Sequence, residues 1–337
     1  TKEVIIEKCM TFFTDEFDFE NKVFPLSGIA NVKTVLCNES GKWVTYVSDR
    51  YGFNNDDAVY GDQQDSVVFV GDSFAKGYCV NQGDDVAGNL RRRGYKAISL
   101  GKAGNSLLAD LAAFKEYGPH LRSKVVFWLY FEGNDFLDLQ YEYNFQPLRN
   151  YFNDDYSQDL ISKQDSVNKC WMDIISKIKD EFAYRLDSEE VRRGINRGLI
   201  RRLVFLSNVR KLLGFSRSSD IAENNLDERF NEELEAMFRA VMKAAIAQAE
   251  KLNCKLYFVY LPSYESLFNK KYSLLPSSQI VRKVIFELNI PLVDFCERLK
   301  NSDDPAQYFP YRKSAHYNAE GYNFLANVLE SEVLKLK

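Results

Sequence analysis

The alternation of apolar and polar positions changes character at residue 66. Residues 1–64 show no sustained period. Residues 3–13 read as a short helix, residues 23–47 as scattered β-rich runs, and residues 48–55, SDRYGFNN, as a turn-rich crossing. From Ser66 short apolar runs alternate with stretches of helical spacing. Residues 66–70 form the first strand, which stops at Gly71-Asp72-Ser73. A helix over 84–93, started by Asp84 and Asp85 and closed by Gly94, leads to a second strand at 96–100. Another helix over 107–117, stopped by Gly118-Pro119, leads to a third strand at 124–131, which is nearly all apolar. After an interruption the pattern resumes with a helix over 226–252, a strand at 255–261 broken by Pro262, a helix over 277–288 and a strand at 291–295. A last helix opens at Asn318 or Ala319 and ends near Lys335.

Repeated strand and helix units of this length predict an α/β fold: a three-layer α/β/α domain on a parallel five-stranded sheet with right-handed crossovers. That domain takes residues 65–135 and 221–337. Residues 1–64 read as an arm packed on it, and residues 136–220 as a mostly helical insertion after the third strand, since a structureless loop of that length is improbable. The insertion leaves the end of a central strand, so it acts as a lid or substrate-shaping element, or else as a scaffold surface.

Composition narrows the chemistry. The 337 residues are 45% apolar and 14% aromatic, enough for a substantial core. A formal net charge of −4 gives no case for nucleic acid as a partner. No uninterrupted apolar run is long enough to cross a bilayer. Six cysteines (9, 37, 79, 170, 254 and 296) lack the Cys-x-x-Cys spacing of a zinc site; Cys254 and Cys296 read as small core residues, and a Cys9–Cys37 bridge is open, since spacing alone cannot test it. No metal or cofactor is expected. With His120 and His316 alone, any imidazole chemistry falls to one of two residues. The basic run at 192–202 reads as a solvated helix face. Gly-x-Ser-x-Gly, Gly-x-Gly-x-x-Gly and the phosphate-binding Gly-Lys-Ser/Thr are absent, against an α/β-hydrolase elbow or nucleotide work.

Three loops fall at the carboxyl ends of successive strands, where an open parallel sheet binds ligands: Gly71-Asp72-Ser73, residues 101–105, and Gly133-Asn134-Asp135. His316 lies just ahead of the last helix. In order and spacing these four blocks resemble the SGNH hydrolases, the GDSL esterase and lipase family, over residues 67–135 and the C-terminal end. The run from Tyr46 through SDRYGFNN to Ser73 is similar to extracytoplasmic, membrane-anchored members. That resemblance implies a flavodoxin-like fold and an extracytoplasmic location. The sequence opens at Thr1 without an initiator Met, which leaves room for a signal peptide or membrane anchor ahead of it.

The implied reaction is hydrolysis or transfer of an O-acyl group, with an acetylated carbohydrate or cell-envelope polymer favoured over a lipid. Ser73 is the nucleophile and His316 its base, because a serine hydroxyl needs a proton acceptor near neutral pH. The implied oxyanion donors are the Ser73 and Gly104 backbone N–H groups, with Gly101 as second choice for the latter, and the Asn134 side-chain amide. Asp72, Asp135 and Glu132 lie near these blocks.

One departure stands out. Three residues before the histidine the family carries its orienting acid, and here the chain has Lys313. Either Asp303 or Asp304 folds back to orient the ring, with Glu132 a more remote source of charge, or a backbone carbonyl holds the ring in a Ser-His dyad. A binding or scaffolding protein that kept the fold and lost catalysis is the alternative. An acylated small molecule or glycan is the expected partner, and the oligomeric state is open.

Overall fold

The structure is a computed structural model, and it describes residues 5–6, 23–61, 64–187, 228–268 and 276–335, with side chains for 23–61, 64–176, 229–268 and 276–335. The predicted basic run at 192–202 and Cys9 lie outside the described residues.

In chain order the main elements are β1 (Ile5–Ile6), β2 (Lys33–Cys37), β3 (Val44–Val47), β4 (Ser66–Gly71), α1 (Ser73–Lys76), α2 (Val86–Arg91), β5 (Ala97–Ser99), α3 (Leu107–Tyr117), β6 (Ser123–Phe131), α4 (Asp135–Tyr143), α5 (Gln146–Arg149) and α6 (Gln164–Asp187). Then come α7 (Glu228–Lys251), β7 (Lys255–Leu261), α8 (Tyr264–Phe268), α9 (Pro276–Glu287), β8 (Leu292–Asp294), α10 (Phe295–Lys300) and α11 (Ala319–Leu329). The five predicted strands form one sheet in the order β5-β4-β6-β7-β8, and every pairing in it is parallel. This is the expected α/β/α architecture.

Successive side chains of a strand point to opposite faces, and both faces here are covered. Val68, Val70, Val126, Trp128, Tyr130, Phe258 and Tyr260 join one core cluster with residues of α3, α7 and α9. Their alternates Val67, Phe69, Val125, Phe127, Leu129, Val259 and Leu261 join a second with α2, α10 and α11. Chain order reverses around β4, which pairs with β5 on one side and β6 on the other. In a sheet of this winding that reversal opens a crevice outside the carboxyl end of the strand.

Local differences from the sequence reading have identifiable causes. β8 ends at Asp294 because its side chain accepts the Cys296 N–H at 3.1 Å and caps α10. Ile5–Ile6, expected in a helix, is a strand paired parallel to β2, so tertiary pairing overrides local preference there.

The arm is fastened to the domain. Phe24, Leu26 and Phe53 are buried in the first cluster. The SDRYGFNN run ties the arm to β5 and α1. Asn55 accepts the Ser99 N–H at 2.9 Å and donates to the Ser99 carbonyl at 2.9 Å, while Asn54 donates to the Lys76 carbonyl at 2.8 Å. The described start of the 136–220 stretch packs into the same cluster through Phe136, Leu139, Leu148, Tyr151, Leu160 and Val167, and the Trp171 indole donates to the Ser27 carbonyl at 2.7 Å. That portion is part of the core and not a free-standing lid.

Candidate active site

β4 delivers the chain to the crevice at Gly71, whose φ of +151° lies where side chains are disfavoured. A Cβ there would stand 2.7 Å from the Leu129 carbonyl oxygen, so only glycine lets the strand turn this close to β6. Asp72 caps α1 by accepting the Phe74 N–H at 2.8 Å. Ser73 follows, 9% exposed, with its hydroxyl 3.1 Å from the other Asp72 carboxyl oxygen.

His316 stands in the loop ahead of α11, whose N-terminus is capped by Asn318. Its Nε2 lies 2.8 Å from Ser73 Oγ, so the predicted pair meets across 243 positions of sequence. Phe74 and Tyr78 hold the imidazole, with ring centroids at 4.9 and 4.8 Å.

The carboxylate that meets the ring is that of Glu39, in the loop between β2 and β3. Its Oε1 is 2.8 Å from His316 Nδ1, and its Oε2 accepts the His316 backbone N–H at 3.0 Å. A carboxylate only accepts, so Nδ1 carries the proton and the Nε2 lone pair faces the serine hydroxyl. Burial pushes the Glu39 carboxyl up, but the hydrogen bonds and charge of His316 outweigh that and hold it below its usual range.

The predicted acids do not reach the ring. Asp304 is taken by Arg312 in a two-pronged ion pair at 2.7 and 2.7 Å, and Asp303 is exposed. Glu132 turns the other way, accepting from the Ser263 N–H at 2.7 Å and from the hydroxyls of Tyr260 and Ser266. Both the Nδ1 and the main-chain N–H of His316 go to Glu39, so a carboxylate and not a backbone carbonyl meets the ring. No local sequence pattern marks Glu39, which sits 277 positions from the histidine.

The bridge left open by the cysteine spacing is settled in the same place. Cys37 pairs with Cys79, so it does not pair with Cys9. Ligand atoms of Glu39, Cys79 and His316 lie within 4.8 Å of one another. With its sulfur committed to the bridge, Cys79 offers no thiolate, and the trio does not fit a metal in this state.

The loops carrying Gly104 and Asn134 follow the two strands that flank β4. The Lys102 N–H donates to the Gly71 carbonyl at 3.2 Å, which fastens the first of them beside the Ser73 turn. Gly104 is exposed there with φ of +86°. Asn134 precedes α4, and its amide donates to Asp138 at 2.9 Å. Gly101 sits tightly under α1, a Cβ there falling 2.2 Å from the Lys76 nitrogen, so it is a packing glycine.

A nest of buried carboxyls extends from Asp72 through Asp135 and Asp110 to Glu142. Burial raises each of them. Asp72 and Asp110 push Asp135 up further, and Glu142 and Asp72 do the same to Asp110. Glu142 is pushed up to about 8 even though it accepts the N–H groups of Ser106, Leu108 and Ala109. Asp135 serves structure here, accepting the Phe131 N–H at 2.7 Å.

No protein-family model matches the chain, and no curated protein does. Solved structures with similarity to it include a lipase/acylhydrolase from Enterococcus faecalis, at 12% identity and a TM-score of 0.41 over 81% of this chain and 97% of that one. An acetyl xylan esterase is similar at 13% identity and a TM-score of 0.39, covering 80% and 99%. A GDSL-like lipase from Bacteroides thetaiotaomicron follows at 12% and 0.37, covering 81% and 89%.

Proposed function

We propose that the protein is a serine esterase of the SGNH type, with Ser73, His316 and Glu39 as its triad. The observation that carries this reading is the unbroken chain of contacts from Glu39 through the imidazole to the Ser73 hydroxyl, each link at 2.8 Å. As Ser73 Oγ attacks the ester carbonyl, its proton passes to His316 Nε2, and Glu39 stabilises the imidazolium that results. The carbonyl oxygen, now an oxyanion, is received by the N–H groups of Ser73 and Gly104 and the amide of Asn134. Collapse expels the alcohol, which takes the proton back from Nε2. Water, or an acceptor hydroxyl in a transferase, then repeats the sequence in reverse and frees Ser73.

The acyl group in this reading is acetyl and its carrier a carbohydrate or cell-envelope polymer. Two well-exposed aromatic residues support it. Trp43 lies on the same loop as Glu39, and the Tyr311 hydroxyl donates to the Ser40 carbonyl, one residue from Glu39; such rings suit the flat faces of sugars. The disulfide accords with an oxidising, extracytoplasmic compartment. The scaffold reading turns on a missing acid, and the contact of Glu39 with the ring favours the esterase over it.

Replacing Ser73 with Ala and following a small acetyl ester tests the proposal. Turnover falling to the level of the buffer supports it, and turnover equal to that of the parent removes Ser73 as nucleophile.

A further inference from the structure

The acid of the site does not belong to the sheet. Glu39 sits in a hairpin loop whose other residues, Asn38, Ser40, Gly41, Lys42 and Trp43, are all exposed, so packing alone does little to hold it. Two attachments do the holding. At the stem, Cys37 is two residues before Glu39 and is bonded to Cys79, six residues after Ser73. At the tip, the Tyr311 hydroxyl donates to the Ser40 carbonyl and covers Gly41, where a Cβ would stand 2.5 Å from the Tyr311 oxygen. Tyr311 and Arg312 both take positive φ, 52° and 57°, to bring that ring over the loop. The segment after Ser73 meets the hairpin at three residues. The Lys76 ammonium lies 5.0 Å from the Tyr46 ring, Tyr78 packs on Leu36, Val44 and Tyr46, and Cys79 forms the bridge.

We propose that the Cys37–Cys79 disulfide is a positioning device for the proton relay: it keeps Glu39 against His316, and opening it uncouples the acid from the ring while leaving Ser73 and His316 in place. The inference rests on the esterase reading for its kinetic consequence and on geometry alone for its effect on the imidazole. A dithiol opens the bridge by exchange: two electrons and two protons pass to the protein, yielding two thiols, and the dithiol closes to its own disulfide. With the stem free, the loop samples positions in which Glu39 no longer meets Nδ1, and the imidazole loses its preferred tautomer.

The test compares oxidised and dithiothreitol-reduced protein, with reduction verified by the release of two thiols. Expected on reduction is a fall in kcat of about tenfold or more, which is about 1.4 kcal/mol or more of barrier, with KM within twofold. In Glu39→Ala the same reduction should cause no further fall, because both contacts it would break are already gone. A merely structural bridge would lower turnover in both backgrounds. A second readout needs no turnover: the Nδ1 proton of His316, held by a carboxylate, gives a low-field proton NMR signal in the oxidised form and loses it in the reduced form. The exposed His120 changed to Gln secures its assignment.

If reduction melts the fold, as loss of the far-ultraviolet circular dichroism signal would reveal, the Cys37→Ala, Cys79→Ala double variant at lower temperature carries both readouts. Unchanged kcat together with an unchanged low-field signal overturns the proposal. An oxidised protein that shows no turnover on any acetyl ester counts against the esterase reading, and the NMR comparison then decides the tether by itself.

Discussion

Glu39→Gln removes one charge and keeps the shape of the side chain. The native carboxylate accepts twice from His316, at 2.8 Å from the ring and 3.0 Å from the backbone. Glutamine can accept only once at a time, so its amide hydrogens face one of two donors. Charge-assisted hydrogen bonds contribute about 1.5–3 kcal/mol each, and losing one together with the charge that stabilises the imidazolium raises the barrier by roughly 3–4 kcal/mol. At about 1.4 kcal/mol per decade that is a fall in kcat of about 10²–10³. Loss of the acid from the triad of a serine protease costs about 10⁴, and the smaller figure follows from partial exposure here, 22% for His316 and 29% for Glu39 side chains, which admits water to screen the pair. The assay is steady-state hydrolysis of p-nitrophenyl acetate, with active sites counted by a fluorophosphonate. A variant within threefold of the parent kcat, at equal folded fraction, refutes the role given to Glu39.

Further expectations follow from the fold. Opening the Cys37–Cys79 bridge, which closes a loop spanning 42 positions, should cost about 4 kcal/mol by chain entropy and lower Tm by about 5 °C or more in a melting scan; an unchanged Tm would count against it. Gly71→Ala places a Cβ against the Leu129 carbonyl at a strained φ and should destabilise the fold by about 3 kcal/mol or more in urea unfolding, with turnover falling as well; a neutral substitution would contradict the turn geometry.

The Asp110 carboxyl is raised well above its usual range by burial first and by Glu142 and Asp72 next. Its folded pKa therefore exceeds its unfolded value of about 3.9, so its favourable neutral form is fully counted below about pH 4 and that stability is lost as pH rises toward the folded pKa. Asp110→Asn, which keeps the acceptor for the Asn105 amide, should make Tm fall less steeply as pH rises above about 4 than in the parent; a steeper fall would contradict this assignment.

The sheet was legible because each strand, covered on both faces, is an unbroken apolar run, and because turn residues mark its carboxyl ends. Ser73 and His316 were legible for a related reason: both stand at element boundaries where a loop must begin. Glu39 was not. It is held by a hairpin whose place is set by tertiary contacts with Tyr78, Lys76 and Cys79, and no periodicity in residues 23–47 reports those. The signal within reach was the cysteine spacing, since Cys79 falls in the same short block as Ser73 and Cys37 two residues before Glu39. Cys9 competes with Cys79 for Cys37 in a spacing argument, and spacing alone cannot choose. Asp303 and Asp304 were attractive for closeness in sequence to His316, but an arginine eight positions further along is a stronger partner for Asp304 than a ring that already has its carboxylate.

The most direct measurement is the mass of the intact protein after exposure to a fluorophosphonate, followed by mapping of the adduct. A single phosphonyl group on Ser73, formed rapidly in the parent and lost in His316→Ala, is the result predicted by a hydroxyl activated through that imidazole. An unmodified Ser73, or equal labelling in the His316 variant, would contradict it.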